Sequence, residues 1–152
     1  MNNITDKDTG FKRIANLFKR ALQITIGIHE AEGSASHGTM TVAEIGAIHE
    51  YGDKDKKIPQ RSFVRETHDM KLQENLSLLK RMEGEVLDGK RAQDQAIAML
   101  GEVAAKQMVS RINEGIPPRN SPATVRKKKS SKPLIDTGQM KGAITFKVKE
   151  HA

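Results

Sequence analysis

Cysteine and tryptophan are absent from this chain, and aromatic residues are scarce. Without cysteine the protein has no disulfide, no thiolate metal site and no cysteine nucleophile. Four phenylalanines and one tyrosine accompany a hydrophobic fraction of 36%, which rises to about 44% when the 12 glycines are counted. Average globular chains are roughly 45–50% apolar with glycine counted. The length predicts a single domain over residues 1–152. Its core is modest for such a charged chain, so we expect partner subunits to supply part of the stability.

Long apolar runs are also missing. No stretch of the sequence approaches the ~20 apolar residues that a membrane-spanning helix needs. The N-terminal sequence MNNITDKDTG lacks the apolar segment of a signal peptide. We therefore expect a soluble protein that is made and kept in the cytoplasm, with no membrane partner.

The sequence also lacks the motifs of catalysis and of metal binding. His29-Glu30 and His49-Glu50 have no second histidine three positions after the glutamate, so neither forms the HExxH pair of a zinc hydrolase. No GxSxG, Walker or GxGxxG motif occurs. We therefore predict no catalytic residue, no metal site, no cofactor and no enzymatic activity. A hydrolase of an unrecognised type is the remote alternative.

Positive charge is abundant but local. Residues 116–148 contain eight basic residues and one acidic residue, which accounts for the whole net charge of +7. Four of the basic residues are consecutive: Arg126, Lys127, Lys128 and Lys129. Such a run can contact the phosphate backbone of a nucleic acid electrostatically, but residues 116–144 contain no aromatic side chain for base stacking. A solvated or protein-contacting loop is the favoured alternative.

The first half of the chain alternates between helical and strand patterns. Apolar spacing predicts a helix from Thr9 to Ala21, and strict alternation predicts a strand from Leu22 to Ile28. Residues 30–40 are small and polar and predict a flexible loop. Thr41 and Glu44 match a capping box for a short helix from Val42 to Tyr51, which Gly52 ends.

A helical hairpin is predicted over residues 62–115, with one long helix broken near Gly84–Gly89 as the alternative. Ser62 can cap the first helix. Apolar stripes follow on both helices: Leu72, Leu76 and Leu79 on the first, then Ile97, Leu100, Ala104, Met108 and Ile112 on the second, which ends before Gly115.

The remaining segment combines a basic loop with a strand. Residues 116–137 predict a shaped loop, because Ser121-Pro122 can start a helix of one or two turns and Asp136 or Thr137 can cap another single turn. A strand is predicted over 143–149 and should pair with the strand at 22–28. The order of elements predicts an α+β fold, with a small antiparallel sheet packed against the long hairpin and short helices.

Two stretches of the chain resemble one family. TVAEIGAIHEYGDKDKKIPQRSFVRET resembles the pattern A…A…HEfG…iP.RpF.r of small morphogenesis proteins of long-tailed bacteriophages and prophages. IPPRNSPATVRKKKSSKPLIDTGQMKGAITFKV is similar to the matching C-terminal half, PP.n.p.T...K..d.PLidTG.l..sI.y.V. The first match rests on Ala43, Ala47, His49, Glu50, Tyr51, Gly52, Pro59, Arg61 and Phe63. The second rests on Pro117, Pro118, Ser121, Pro122, Thr124, Lys128, Pro133, Leu134, Ile135, Asp136, Thr137, Gly138, Ile144 and Val148. The two blocks cover somewhat under half the chain, and Tyr51 and Met140 replace the family's commoner phenylalanine and leucine.

The resemblance implies a non-enzymatic subunit of a ring, often six-fold, at the head–tail junction or the proximal end of the tail. This is the position of neck, tail-completion and tail-terminator proteins. The implied partners are further copies of the chain, connector or neck proteins, and the tail-tube or tail-sheath protein, with genome DNA passing non-specifically through the lumen. The implied location is the virion, after assembly in the host bacterial cytoplasm.

The same resemblance suggests a set of protein-interface residues: Glu50, Tyr51, Pro59, Arg61, Phe63, Leu134, Asp136 and Thr137. At the corner between the helix at 42–51 and Phe63, Tyr51 can pack on Phe63 and Glu50 can pair with Arg61. For each of these residues, ordinary packing within the chain is the favoured alternative to a role at an interface. A basic nucleic-acid-binding accessory protein, acting through residues 126–129, is the alternative function.

Overall fold

The protein has an α+β fold, as predicted, in a computed structural model that describes residues 9–17, 19–128 and 131–151. The helices are α1 (Thr9–Leu17), α2 (Glu30–Gly33), α3 (Val42–Tyr51), α4 (Arg65–Leu87), α5 (Gln93–Glu114), α6 (Pro122–Lys128) and α7 (Gln139–Gly142). The strands are β1 (Ala21–Ile28), β2 (Ser36–His37), β3 (Met40–Thr41) and β4 (Ile144–His151). Within the described ranges, no helix is both long enough and apolar enough to cross a membrane.

The main sheet pairs β1 with β4 in antiparallel register, with Ile24 opposite Val148 and Ile26 opposite Phe146. This confirms the predicted pairing of the two alternating segments. The predicted end of α1 at Ala21 was wrong, because Ala21 already belongs to β1. The helix is described from Thr9 to Leu17, and Phe18 lies outside the described residues. Ala21 pairs with His151. This contact with a strand distant in sequence places Ala21 in the sheet, although the local apolar spacing predicted that it was helical.

Helix α5 lies directly on this sheet because Gly101 gives it room. A Cβ atom at Gly101 would collide with Cδ2 of Phe146 and with Cδ1 of Ile24. The side of α5 that packs inward carries Ala104, Met108 and Ile112, all buried. The predicted stripe of this helix therefore faces the core.

The α4–α5 pair is a hairpin of two separate helices rather than one interrupted helix. Gly84 lies inside α4, and the turn between the helices begins at Asp88. Asn75 and Gln107 exchange hydrogen bonds between their side-chain amides, at 3.0 Å in each direction. The predicted stripe of α4 is only partly covered, since Leu72 and Leu76 are exposed at 36% and 47%.

The start of α3 follows its sequence signal. The side chain of Thr41 accepts a hydrogen bond from the Glu44 amide, and the Glu44 carboxylate accepts one from the Thr41 amide, which confirms the capping box. Gly52 ends the helix with a φ of 76°, a backbone conformation that favours glycine.

The segment at 30–40, predicted as a flexible loop, contains regular structure instead. It holds α2 and the small β2–β3 hairpin. Gly33 is buried so tightly that an added Cβ would lie 2.7 Å from Cβ of Ala43, and the Val42 amide donates to the Ala35 carbonyl. Contacts with α3 thus order a segment whose composition predicts a loop.

The segment at 116–137 is likewise not wholly loop. The helix predicted after Ser121-Pro122 is present as α6, and Ser121 Oγ accepts a hydrogen bond from the Thr124 amide. The single turn predicted near Gly138 is present as α7, and Thr137 Oγ1 accepts a long hydrogen bond of 3.4 Å from the Gln139 amide.

Candidate functional site

The carboxylate of Glu50 holds the corner between α3 and α4. Its side chain is 7% exposed and accepts hydrogen bonds from Ser62 Oγ at 2.6 Å, from the Val64 amide at 2.9 Å and from Arg65 Nε at 2.9 Å. The Arg65 amide donates to the same carboxylate at 3.2 Å. Burial acts to raise the pKa of Glu50, but these hydrogen bonds outweigh it and keep the pKa below its ordinary value. A charged carboxylate at the first turn of a helix also meets the positive end of the helix dipole.

This arrangement corrects the predicted start of α4. The helix begins at Arg65, three residues after Ser62, and the side chain of its N-cap Val64 makes no capping bond. Ser62 Oγ still accepts a hydrogen bond from the Glu66 amide, at 3.3 Å. The anionic cap comes from Glu50, a residue of another helix, which local sequence signals do not reveal.

The predicted pairing of Glu50 with Arg61 at this corner was wrong. Glu50 pairs with Arg65, whereas Arg61 turns toward the other block of the chain. The ring of Tyr51 is 67% exposed and lies under the guanidinium of Arg65, 4.6 Å from its carbon to the ring centroid. Phe63 is buried at 2% exposure and lines the same small pocket as Tyr51, so the packing of the two rings on each other stays a prediction.

Arg61 joins the two sequence blocks. Its Nε donates to the Pro118 carbonyl at 2.9 Å, and its amide donates to the His49 carbonyl at 2.7 Å. Asn120, which accepts a long hydrogen bond of 3.5 Å from Arg61, donates in turn to the Lys132 carbonyl at 3.2 Å. Burial lowers the pKa of the Arg61 guanidinium. The side chain is therefore an internal clamp, in which hydrogen bonds partly offset the cost of desolvating a charge.

A cleft of about 200 Å³ opens where the blocks meet, between α3 on one side and α6, α7 and the segment at 134–138 on the other. Its walls combine apolar and polar side chains. The lining residues are Val42, Ile45, His49, Lys128, Leu134, Asp136, Thr137, Gly138, Gln139 and Met140. We refer to this feature below as the cleft.

His49 is the titratable group most altered by this environment. Burial lowers its pKa to about 4, and the positive charges of Lys128 and Arg61 act in the same direction. Its Nδ1 atom is buried and makes no hydrogen bond within the part of the chain that the structure describes. The imidazole is therefore neutral near pH 7.

The segment after α6 is fixed by a buried anchor. Leu134 is 5% exposed and has a φ of +64°, a backbone conformation that is uncommon for a branched side chain. Its burial in the main core cluster stabilises this conformation. Asp136 and Thr137, which follow, are exposed at the mouth of the cleft.

The eight predicted interface residues therefore divide into two groups. Glu50, Arg61, Phe63 and Leu134 are buried within the chain, at 6%, 6%, 2% and 5% exposure. Their side chains pack within the chain and support the fold, and a role for them at an interface between subunits stays a prediction. The other group, Tyr51, Pro59, Asp136 and Thr137, is exposed.

The basic run is only partly described. Arg126 is exposed on α6, and Lys128 is half-buried in the wall of the cleft. The Lys127 side chain and all of Lys129 lie outside the described residues. Nearby, Lys132 and Lys141 donate to the backbone carbonyl and the side-chain oxygen of Asn113 near the C-terminal end of α5, where positive charge is favourable.

Among the described residues, no group of three histidine, aspartate or glutamate side chains is arranged to hold a metal ion. The fold and this corner define a small α+β protein with a polar junction between two distant sequence blocks. Comparisons with protein-family models, curated proteins and solved structures find no match.

Sequence reasoning missed two of the residues that hold the junction. Arg65 and Asn120 were not among the predicted site residues, yet they contact Glu50 and Arg61 respectively. A serine near a helix start indicates where a carboxylate could accept hydrogen bonds from the first amides of that helix. The chain has several acidic residues, and the local pattern does not show which of them supplies this carboxylate. For Asn120, no sequence signal stands out.

Proposed function

We propose that the protein is a structural subunit of a tailed-phage or prophage particle, without enzymatic activity. In this proposal it forms a ring, with six-fold symmetry favoured, at the head–tail junction or the proximal end of the tail. DNA passes through the lumen. The neighbours are copies of the chain, connector or neck proteins above, and the tail-tube or tail-sheath protein below. The subunit is assembled in the host bacterial cytoplasm and resides in the virion.

One observation carries this proposal: the two blocks that resemble the phage family, far apart in sequence, are packed into one unit. Arg61 from the first block donates to the Pro118 carbonyl in the second, and His49 shares the cleft with Leu134 and Thr137. Residues that match a family pattern and also contact one another across 57 positions of the sequence support a common structural role. The buried members maintain the junction, while the exposed members remain for contacts between subunits.

The proposal is tested by imaging the purified protein and the particles that contain it. Negative-stain imaging and native mass spectrometry should reveal a ring, and antibody labelling should place the chain at the neck or tail of the particle. Replacing Tyr51 with alanine should reduce ring formation and infectivity. Met70→Ala is the matched control, because Met70 on α4 is 65% exposed and Tyr51 is 67% exposed. Labelling that is absent from the particle would contradict the proposal.

A basic nucleic-acid-binding accessory protein is the second candidate, favoured by the concentration of positive charge in residues 116–148. Here Arg126 and the three lysines that follow would contact phosphates. Replacing Arg126, Lys127, Lys128 and Lys129 with serine should then abolish DNA binding that weakens steeply with salt. A persistent monomer with such binding would favour this candidate. Unchanged assembly, infectivity and DNA affinity in the serine variant would exclude any functional role of the run.

A further inference from the structure

Strand β1 has an open outer edge. The main sheet consists of β1 and β4, and no third strand pairs with β1 in the part of the chain that the structure describes. The described backbone-to-backbone hydrogen bonds of residues 22–28 all go to β4. Every second residue of β1 therefore directs its amide and carbonyl away from β4. Such an edge is a template for pairing with another extended chain.

An apolar groove of about 180 Å³ adjoins this edge. Its lining residues come from β1, α4 and α5, so the groove lies on the side of β1 that faces away from β4. The apolar members include Ile24 and Ile26 on β1, Leu72, Leu76 and Leu79 on α4, and Leu100 on α5. We refer to this feature as the β1 groove.

The shape of the β1 groove suits one added strand. Helix α4 packs on α5, and its apolar stripe faces the space beside β1, which leaves Leu72 and Leu76 exposed. A strand paired with β1 would direct every second side chain into this space and would cover both leucines. Thr67 Oγ1, buried in the groove wall, makes no hydrogen bond within the described ranges, and a main-chain carbonyl of the added strand is a suitable acceptor for it.

A second copy of the chain does not fit this position. The only two alternating apolar segments of the sequence, 22–28 and 143–149, already form the sheet. Helix α5 covers both strands, since a Cβ atom at Gly101 would collide with Ile24 and with Phe146. Neighbouring strands lie about 4.8 Å apart, whereas a helix is about 10 Å across. The α5 of a second copy would therefore collide with α4, so the added strand must arrive without a covering helix.

We infer that β1 accepts an extended segment of another protein as the third strand of its sheet. Apolar side chains at every second position of this segment enter the β1 groove. Main-chain hydrogen bonds supply the affinity, and the groove supplies the preference for alternating apolar residues. The remaining side chains of the segment extend the opposite face of the sheet, where β1 carries the uncharged Gln23 and Thr25. The contact does not depend on the proposed ring.

A synthetic peptide tests this inference on the full-length protein. The probe has eight residues, the length of β1, with valine or isoleucine at every second position, threonine between them, and a lysine added at each end for solubility. Fluorescence anisotropy of the labelled peptide should show saturable binding. An isomer of the same composition with its apolar residues consecutive should bind about tenfold more weakly, because it cannot place them all on one side of a strand. N-methylation of the peptide amides, which keeps every side chain but removes the main-chain donors, should abolish binding.

Two variants of matched exposure locate the contact. Leu76 is 47% exposed and lines the β1 groove, and Leu76→Glu should lower the affinity for the peptide at least about tenfold by placing a charge in an apolar site. Leu87 is 43% exposed at the end of α4, outside the groove lining, and Leu87→Glu should bind like the parent protein. Circular dichroism establishes that both variants keep the fold. Hydrogen exchange should slow at alternate amides of β1 when the unmodified peptide is bound.

The absence of peptide binding overturns the inference. Equal binding of the two isomers, or binding of the N-methylated peptide, also overturns it, because the groove would then hold apolar groups without strand pairing. If an amphipathic helical peptide binds and the strand peptide does not, the occupant is a helix. If instead Leu76→Glu dissociates an oligomer of a protein that binds no peptide, the occupant is a second copy. Each of these results leaves the proposed function standing, since imaging and labelling of the particle decide it separately.

Discussion

The two ends of the α4–α5 hairpin are held by charged groups of different exposure. At the end where α4 begins, near Arg65, the buried carboxylate of Glu50 anchors the fold. At the hairpin tip, where α4 turns into α5, the exposed guanidinium of Arg20 links α5 to the sheet. The Glu50 side chain is 7% exposed and that of Arg20 is 42% exposed. Both groups make several charged hydrogen bonds: Arg20 contacts Asp94 at 3.1 Å and Glu150 at 3.2 Å. Only burial separates the two cases. Water can replace the contacts of Arg20, but it cannot easily reach the amides that Glu50 satisfies.

Removal of the Glu50 carboxylate should cause the largest loss of stability. Glu50→Ala leaves Ser62 Oγ and the amides of Val64 and Arg65 without their acceptor. Unsatisfied buried donors cost about 1–3 kcal/mol each, so we expect the free energy of unfolding to fall by about 3 kcal/mol. Urea titration at pH 7 measures this change.

Glu66→Ala is the control for this experiment, because Glu66 lies on the same helix turn but its side chain is 54% exposed and 3.8 Å from Arg111. It should change the free energy of unfolding by less than about 1 kcal/mol. If the two variants lost the same free energy of unfolding, burial of the Glu50 carboxylate would not explain its contribution to stability.

Acidification should weaken the same end of the molecule through His49. Its pKa is about 4 in the folded protein and 6.5 ordinarily. Because the unfolded chain binds the proton more tightly, the contribution of His49 to stability is complete above pH 6.5 and is lost as the pH falls from 6.5 toward 4. A displacement of one pKa unit corresponds to about 1.4 kcal/mol, so the free energy of unfolding should fall by about 1.5 kcal/mol between pH 6.5 and 5.

Urea titrations at a series of pH values measure this slope. The variant His49→Leu should be nearly flat over this window, whereas His68→Gln, an exposed control on α4, should follow the parent protein. The window lies above 4.5, the ordinary pKa of glutamate, so the loss that Glu50 contributes as it becomes protonated begins at lower pH. A parent protein with no slope between pH 6.5 and 5 would show that the imidazole is open to water.

The strands and the helical hairpin were predictable because their signals are local. The alternation in β1 and the apolar spacing in α5 record which side of each element is buried. The junction was less predictable because its contacts join distant positions: Glu50 meets Arg65, and Arg61 meets Pro118. Acidic and basic residues both occur near the corner between α3 and α4. Which acidic residue pairs with which basic residue depends on the direction that the backbone takes after the corner.

The boundary errors have the same cause. Ala21 was assigned to a helix from its neighbours in sequence, yet its pairing with His151 in the sheet decides its conformation. The composition of residues 30–40 is typical of a loop. Gly33 nevertheless packs closely against Ala43, and the segment forms α2 and most of the β2–β3 hairpin. Leu72 and Leu76 obey the helical period of a buried stripe but remain exposed. The period fixes which side of a helix is apolar and does not determine what covers it.

The smallest effect is expected from Arg20→Ala at the hairpin tip. The variant loses the contacts with Asp94 and Glu150, but these groups are exposed and return to water when the arginine is removed. The backbone contact survives, since Gln93 Nε2 donates to the Arg20 carbonyl at 3.2 Å. Exposed ion pairs are weakened by salt and contribute little.

The urea midpoint of Arg20→Ala should therefore lie close to that of the parent protein, and the remaining difference should vanish in 1 M NaCl. Glu50→Ala should keep most of its deficit at the same salt concentration, because its donors are shielded from ions. A salt-resistant loss in Arg20→Ala as large as that of Glu50→Ala would mean that the guanidinium is shielded by neighbouring structure. The tip would then be as firmly anchored as the junction, and solvent exposure would no longer explain the difference between the two ends.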